Sequence, residues 1–236
     1  MLLLGIDTTT LSCSVAIGEE QQLFGEYTLN IRKTHSQRLM PLIDSLLRDT
    51  GFTLEDLEGI VVSRGPGSFA GTRIGVATAR GISQGLGIPV VGVLSLEVLA
   101  SAFTAMPGLV CPLLDARRQQ VYTALYRVTE GKLIEIMPPA ALHLEELIKN
   151  IMPLQEKVLF TGEGVNTYAL YLHNELGSFF AKAPPELSIN RGAFVLKAGY
   201  QAFSRGEAVK YHQLQPFYLR LPEAERRLRE QQPKGG

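Results

Sequence analysis

Residues 63–75 are SRGPGSFAGTRIG, and this stretch, with the run that continues to Gly87, decides the fold. A short apolar segment, residues 59–63, comes directly before it, and its β-branched residues are typical of a central strand. Gly65-Pro66-Gly67 predicts a tight turn, because proline fixes φ and glycine accepts a positive φ. Ser68 can cap the helix that begins there. The stretch therefore predicts a buried strand, a turn and a long helix.

The predicted helix carries small side chains along one face. Gly71, Gly75, Ala79 and Ser83 follow one another at four-residue steps, which places them in a single stripe. Each glycine inside a helix costs about 0.5–1 kcal/mol relative to alanine, so a close approach of another backbone to the stripe is expected as compensation. The stripe either packs within one domain, which the composition favours, or forms a surface for a partner.

The chain has 236 residues, of which 45% are hydrophobic and 19% charged, and its formal net charge is zero. It is long enough for one large domain or two lobes, and zero net charge provides no overall attraction to nucleic acid or to a membrane. Cys13 and Cys111 lie in apolar runs, which predicts buried free thiols. The N-terminus lacks the basic segment of a signal peptide, and no apolar run reaches the ~20 residues that span a bilayer. We therefore expect a cytoplasmic protein.

Polar side chains separate the first two predicted strands. Residues 2–6 and 12–18 have strand patterns, and Asp7, Thr8 and Thr9 follow the first of them. This order is similar to the start of the actin-like fold, in which such a turn contacts the phosphates of a nucleotide. Asp and Thr also favour hairpin turns for structural reasons alone, so both interpretations stay open.

A helix is also predicted from residue 34 to residue 50, ahead of Gly51. At ~100° per residue its apolar positions cover an arc of about 160°, which is wider than a surface helix needs for its core. Met40 and Leu47 form the surplus edge of this arc, which either contacts another chain or lines a groove in the same domain. Pro41 should bend the helix.

The second half of the chain repeats the order of the first: strand, turn headed by Asp115, strand, strand. Met106-Pro107-Gly108 interrupts the pattern between the halves. We therefore expect a first lobe over residues 1–106 and a second lobe over residues 107–220. Residues 221–236 are charged and poor in apolar side chains, which predicts a flexible tail.

Considered together, these motifs resemble the TsaB family, also called YeaZ, along essentially the whole chain. The resemblance implies an α/β, actin-like fold of the sugar kinase, acetate kinase and actin type, with two lobes that each have a mixed sheet flanked by helices. It also implies a role in making threonylcarbamoyladenosine in tRNA, at the adenosine beside the anticodon. In that pathway TsaD transfers the threonylcarbamoyl group, TsaE is a supporting ATPase, and TsaB is a paralogue that pairs with TsaD without a transferase site of its own. The motifs are Gly5-Ile6-Asp7-Thr8-Thr9, Thr34-His35-Ser36, Gly65 to Gly75, and Leu114-Asp115-Ala116-Arg117-Arg118.

The residues themselves argue against chemistry in this chain. The second turn has Ala116, Arg117 and Arg118 where a phosphate cradle needs glycines, although arginine can itself bind phosphate. Of the two metal-binding histidines of TsaD, only His35 has a counterpart, because position 39 is leucine. We therefore predict no catalytic residue, no metal and no cofactor. Weak candidates for a nucleotide site are Asp7, Thr8, Thr9, Asp115, Arg117 and Arg118.

The resemblance implies that TsaD, or a second copy of the chain when TsaD is absent, contacts the first two helices. We accordingly expect Gly75→Leu or Leu47→Glu to abolish co-purification with TsaD and to leave the fold intact. TsaE would act through the pair, and tRNA would be bound only within the complex. The alternatives are a stand-alone actin-like ATPase or kinase and, less favoured, a glycoprotease-like peptidase. The predicted interface comprises His35, Leu39, Met40, Ile43, Leu47, Phe69, Gly71, Ile74, Gly75, Thr78 and Ala79.

Overall fold

A computed structural model describes residues 1–31, 34–117 and 119–220. The first sheet consists of β1 (Leu3–Asp7), β2 (Ser12–Glu19), β3 (Gln22–Asn30), β4 (Gly59–Ser63) and β5 (Val90–Val93), in the spatial order β3-β2-β1-β4-β5. β1 pairs antiparallel with β2 and parallel with β4, so the sheet is mixed. Both faces of β1 and β4 are buried, which explains their continuous apolar sequence.

Two helices cover one face of this sheet: α1 (Leu39–Thr50) and α2 (Phe69–Leu86). The Ser68 side chain caps α2 by accepting a hydrogen bond from the Gly71 N–H, and Gly87 ends the helix with φ 69°. The predicted strand, turn and helix over residues 59–87 are thus confirmed. α1 begins only at Leu39, after a 3₁₀ turn over residues 35–37, so Pro41 lies in its first turn, where proline is tolerated.

The second sheet has the same topology. It is built from β6 (Gly108–Asp115), β7 (Gln120–Thr129), β8 (Lys132–His143), β9 (Val158–Thr161) and β10 (Phe180–Lys182), in the order β8-β7-β6-β9-β10. α4 (Leu144–Ile151) and α5 (Gly164–Leu176) cover its outer face. The predicted repeat of topology and the two mixed sheets flanked by helices are therefore confirmed.

Two helices lie between the two sheets, and each packs on the sheet from the other half of the chain. α3 (Ser95–Ser101) lies within the predicted first lobe, 1–106, and its Leu96 and Leu99 pack against the second sheet. α6 (Gly192–Ser204) lies within the predicted second lobe, 107–220, and its Val195 and Leu196 pack against the first sheet. The boundary after residue 106 stays a prediction about the chain, and the packing shows that each half gives one helix to the core of the other. An amphipathic pattern shows that a helix has a buried face, but not which sheet will cover it.

Residues after α6 also contact the first sheet and its core: Val209 forms a bridge with Val90, and Leu214 is buried in the first core. Among the described residues, no helix is both long and apolar enough to cross a membrane. The tail predicted over residues 221–236 lies outside the described part of the chain.

Candidate functional site: the interlobe cleft and the outer helix face

The turns that follow β1 and β6 lie at the carboxyl ends of the central strands of the two sheets, and we call the region between these turns the cleft. The first of the two turns, Asp7-Thr8-Thr9, joins β1 to β2 and is fully buried. Asp7 Oδ1 accepts hydrogen bonds from the Thr9 N–H and the Thr9 hydroxyl, both at 2.8 Å. Its Oδ2 accepts one from the Asn190 amide at 3.0 Å. Burial raises the pKa of Asp7, and these hydrogen bonds oppose the rise. Both carboxylate oxygens thus serve to hold the turn and the segment before α6 in place.

The start of α2 lies directly on this turn. The Ser68 N–H donates to the Thr9 carbonyl at 2.6 Å, and the Thr8 hydroxyl donates to the Gly71 carbonyl at 2.7 Å. A Cβ added at Gly71 would lie 2.0 Å from the Thr8 carbonyl oxygen, and one at Gly75 would lie 2.4 Å from Thr8 Oγ1. The stripe of small residues therefore packs against the turn within one chain. Neither threonine has a surface from which to contact a nucleotide in this structure.

This packing corrects one sequence-based expectation. A leucine at position 75 would place its Cβ within 2.4 Å of Thr8 Oγ1, so Gly75→Leu would disturb the fold itself. Gly75→Leu therefore does not test a partner contact.

The second turn of the cleft joins β6 to β7. Asp115 is exposed, and its Oδ1 accepts a hydrogen bond from the Arg117 N–H at 2.8 Å. The Ala116 N–H donates to the Gln120 carbonyl at 2.9 Å and closes the turn, in which Arg117 has a φ of 62°. An arginine thus has the left-handed conformation that glycine adopts most easily. Arg118, also a candidate, lies outside the described residues.

A carboxylate faces the second turn from the loop before α5. Glu163 stands between Gly162 and Gly164, and the pKa of Glu163 is raised by burial and, to a smaller extent, by the charge of Asp115. A Cβ on either glycine would meet the Leu113 carbonyl oxygen, at 2.4 Å from Gly162 and 2.9 Å from Gly164. These glycines are therefore explained by packing on β6. The two nearby carboxylates would repel the phosphates of a nucleotide.

The described residues contain no group of three or more His, Cys, Asp or Glu side chains that could hold a metal ion. His35 Nε2 lies 2.9 Å from the Thr10 carbonyl oxygen, and Leu39 is buried in the core. Burial raises the pKa of Cys13 to about 11 and that of Cys111 to about 12, so neither forms the thiolate that a nucleophile requires. The geometry thus offers no support for the peptidase alternative.

The predicted interface residues divide by exposure. Met40 is 48% exposed, whereas Leu47 is 8% exposed and lines, with Phe52 and Leu54, a groove of about 360 Å³ beside it. Met40 lines the same groove, so both residues of the surplus edge border it, Leu47 buried and Met40 exposed. His35, Phe69, Ile74 and Thr78 are half-buried. The buried members are Leu39, Ile43, Gly71, Gly75 and Ala79.

A second small-residue face on α2 was missed by the sequence analysis. Ala77, Gly81 and Gly85 are exposed and also lie at four-residue steps. Among the residues that the structure describes, a Cβ added at Gly81 or Gly85 would have no neighbour within 4 Å apart from the backbone of α2 itself. The spacing of these residues was visible in the sequence, but it could not distinguish the exposed stripe from the buried one.

Comparisons with known proteins agree with this geometry. The family model described as TsaD, tRNA N6-adenosine threonylcarbamoyltransferase, matches residues 22–227. A Bacillus subtilis protein named tRNA threonylcarbamoyladenosine biosynthesis protein TsaB is 37% identical over 233 residues, which are 95% of this chain and 96% of that protein.

Solved structures support the same relationship. A Pseudomonas aeruginosa protein described as similar to the peptidase YeaZ superimposes with a TM-score of 0.80 at 28% identity, over 93% of this chain and 99% of that chain. Component A of (R)-2-hydroxyglutaryl-CoA dehydratase from Acidaminococcus fermentans superimposes with a TM-score of 0.50 at 12% identity, over 87% of this chain and 98% of that chain. The latter likeness concerns the fold alone, and with the two repeated sheets it confirms the predicted actin-like fold.

Proposed function

The chain belongs to the TsaB family, and on that premise we propose that it is a non-catalytic subunit of tRNA threonylcarbamoyladenosine biosynthesis. It pairs with TsaD in the cytoplasm and supports transfer of the threonylcarbamoyl group to N6 of the adenosine beside the anticodon. TsaE joins through this pair, and tRNA is bound only by the complex. The name of the Bacillus subtilis relative and the TsaD family model support the pathway, and the resemblance of the motifs supports the pairing.

The observation that carries the non-catalytic role is the complete burial of Asp7, Thr8 and Thr9 beneath the start of α2. A nucleotide enzyme needs backbone amides that approach the phosphates at this turn. Here the Thr9 N–H is bonded to Asp7, and the Thr9 carbonyl is bonded to the Ser68 N–H. Hydrogen bonds within the chain thus occupy these polar atoms of the turn. We therefore look for the functional contact on the outer surface of the chain.

We assign the partner contact to the outer face of α1 and α2. Gly81 and Gly85 each cost about 1 kcal/mol relative to alanine, and within the described ranges no atom outside the backbone of α2 lies close enough to explain them. A helix of a partner can approach such a stripe closely, because no side chain separates the two backbones. Met40 and the half-buried Ile74 and Thr78 lie on the same pair of helices. The buried residues of the predicted interface pack beneath this face and hold the two helices in position. A second copy of the chain binds the same face when TsaD is absent.

The proposal is tested by co-expression with TsaD and by tRNA modification reconstituted with and without this chain. Gly81→Leu adds a large side chain in open space, so the fold should persist and TsaD should no longer co-purify. Thr167→Leu, an equivalent change at an exposed position of α5, is the matched control and should co-purify normally. Normal co-purification of Gly81→Leu would contradict the assigned face. Steady ATP turnover by the isolated chain would contradict the non-catalytic role and favour the kinase-like alternative.

A further inference from the structure

The segment that follows α6 runs along the first lobe towards the cleft. Val209 exchanges two backbone hydrogen bonds with Val90, at 2.9 and 3.0 Å, and Leu214 is buried in the first core. The Phe217 N–H then donates to the Arg64 carbonyl at 2.7 Å, just beyond the end of β4. The chain is therefore fixed to the first lobe up to Phe217.

The next contacts involve the loop that opens α2. A Cβ added at Gly65 would lie 2.4 Å from the Phe217 carbonyl oxygen, and Gly65 has a φ of 110°, so only glycine leaves room for this segment. The Tyr218 ring lies 4.9 Å from the Phe69 ring, and the Tyr218 hydroxyl accepts a hydrogen bond from Arg73 Nε at 3.1 Å. Tyr218 thus secures the segment to the first turn of α2.

Two residues later the segment reaches the other lobe. The guanidinium of Arg220 donates to the Ala116 carbonyl at 2.8 Å and lies 5.9 Å from the centre of the Tyr122 ring. Ala116 belongs to the turn between β6 and β7, at the carboxyl end of β6 in the second sheet. Four consecutive residues, Phe217–Arg220, therefore contact both walls of the cleft.

We propose that Phe217–Arg220 is a strap that ties the two lobes together across the cleft. Its anchors lie at the carboxyl ends of β4 and β6, the ends at which the two cleft turns also lie. In two-lobed proteins a ligand in the cleft commonly draws the lobes together, and the hinge opens when it leaves. In this chain the strap adds a contact between the lobes at the end where such a ligand would lie, beside the buried packing of α3 and α6 and the backbone hydrogen bond from Leu11 to Glu163.

The test compares chains that end at different positions. A chain that ends after Gln215 lacks the strap, a chain that ends after Arg220 retains it, and Arg220→Ala removes only the contact with the second lobe. Arg205→Ala is the matched control, because Arg205 is exposed and paired with Glu207 within the first lobe. Spin labels attached to Glu20→Cys and Lys149→Cys, both at exposed positions, report the distance between the lobes. The natural Cys13 and Cys111 are buried, so they should not take up the label.

Loss of the strap should broaden the interlobe distance distribution. It should also speed hydrogen exchange at the amides of Ala116 and Gln120 by about tenfold, the effect of losing one hydrogen bond to a charged group. The chain that ends after Arg220, and Arg205→Ala, should match the full chain. If the shortest chain does not fold, the test is the comparison of Arg220→Ala with Arg205→Ala, in both the interlobe distance distribution and hydrogen exchange. A narrow, unchanged distribution with unchanged exchange in Arg220→Ala would overturn the strap.

Discussion

Four glycines of α2 test how this helix packs. For each of them the structure predicts whether substitution by alanine raises or lowers the free energy of unfolding. Gly71 and Gly75 face the buried turn, and Gly81 and Gly85 face open space. All four have the helical backbone that alanine prefers, so helix propensity alone would predict stabilisation at every position. Only the contacts beyond the helix separate the two pairs.

The expected magnitudes follow from those contacts. At Gly81 or Gly85 alanine should stabilise the chain by about 0.5–1 kcal/mol, because no described atom outside the backbone of α2 lies within 4 Å of the new methyl group. At Gly75 the methyl group would lie 2.4 Å from Thr8 Oγ1, an overlap that costs about 1–3 kcal/mol or more in a packed core. After the gain of about 0.5–1 kcal/mol in helix propensity is subtracted, we expect a net destabilisation of about 1–2 kcal/mol. Gly71→Ala should be worse, since its methyl group meets a backbone carbonyl at 2.0 Å.

A double-mutant cycle identifies the atom responsible. Thr8→Ala removes Oγ1 and the hydrogen bond to the Gly71 carbonyl, which costs about 1 kcal/mol by itself. Once Oγ1 is gone, the nearest neighbours of a methyl group at position 75 lie at 3.5 and 3.7 Å, an ordinary contact. Thr8→Ala should therefore remove most of the destabilisation caused by Gly75→Ala. It should not reduce the destabilisation caused by Gly71→Ala, because the atom that clashes there is the Thr8 backbone carbonyl oxygen.

The assay is urea unfolding followed by circular dichroism, with the midpoint of thermal unfolding as a second measure. For a chain of this size 1 kcal/mol corresponds to about 2–4 °C. Measurements at several protein concentrations separate the effect of self-association from that of the fold. If Gly75→Ala stabilised the chain as Gly81→Ala does, or if Thr8→Ala left its cost unchanged, the packing of α2 on the first turn would be refuted.

Three further predictions use other buried groups. Glu26 is 9% exposed, pairs with Arg191 and accepts a hydrogen bond from the Ala193 N–H at 3.2 Å, so Glu26→Ala should cost about 2–4 kcal/mol in urea unfolding. The exposed pair of Arg205 and Glu207 is the control, and Glu207→Ala should cost less than about 1 kcal/mol. The raised pKa of Asp7 means that the folded chain keeps a proton that the unfolded chain has already released, so this stabilisation is complete below the ordinary pKa and is lost as pH rises through the folded value. The difference in stability between Asp7→Asn and the natural chain should therefore shift in favour of the variant across that window, and a constant difference would contradict the raised pKa. Because burial raises the pKa of Cys13 to about 11 and of Cys111 to about 12, a thiol reagent at pH 8 should label neither in the folded chain and both in denaturant.

The parts of the fold that were predictable depend on local chemistry. The turn at Gly65-Pro66-Gly67, the cap at Ser68 and the stop at Gly87 each follow from the conformations of one or two residues, and α2 has the predicted bounds within a residue or two. The exchange of α3 and α6 between the lobes was not predictable. It depends on contacts between Leu196 and the first sheet, and between Leu96 and the second, that join distant parts of the chain.

The site divides in the same way. The spacing of Gly71 and Gly75 predicted a close approach, and it could not name the Thr8 backbone as the group that approaches. The spacing of Gly81 and Gly85 is equally regular, but these residues face outward. Every face of a helix has residues at four-residue steps, so the sequence shows where small residues align but not which face is buried. The packing of the helix on its neighbours shows which stripe remains exposed to a partner.

The first turn decides how any nucleotide measurement on the isolated chain should be interpreted. Before this turn can contact a phosphate, three hydrogen bonds must break: from the Thr9 N–H to Asp7, from the Ser68 N–H to the Thr9 carbonyl, and from the Thr8 hydroxyl to the Gly71 carbonyl. At about 1 kcal/mol for each bond, that rearrangement would weaken any intrinsic affinity by more than a hundredfold. A site that would bind nucleotide at about 1 μM in an open turn would bind here only at about a tenth of a millimolar. Micromolar binding by the isolated chain would therefore have to come from residues other than this turn, such as the arginines that follow Asp115.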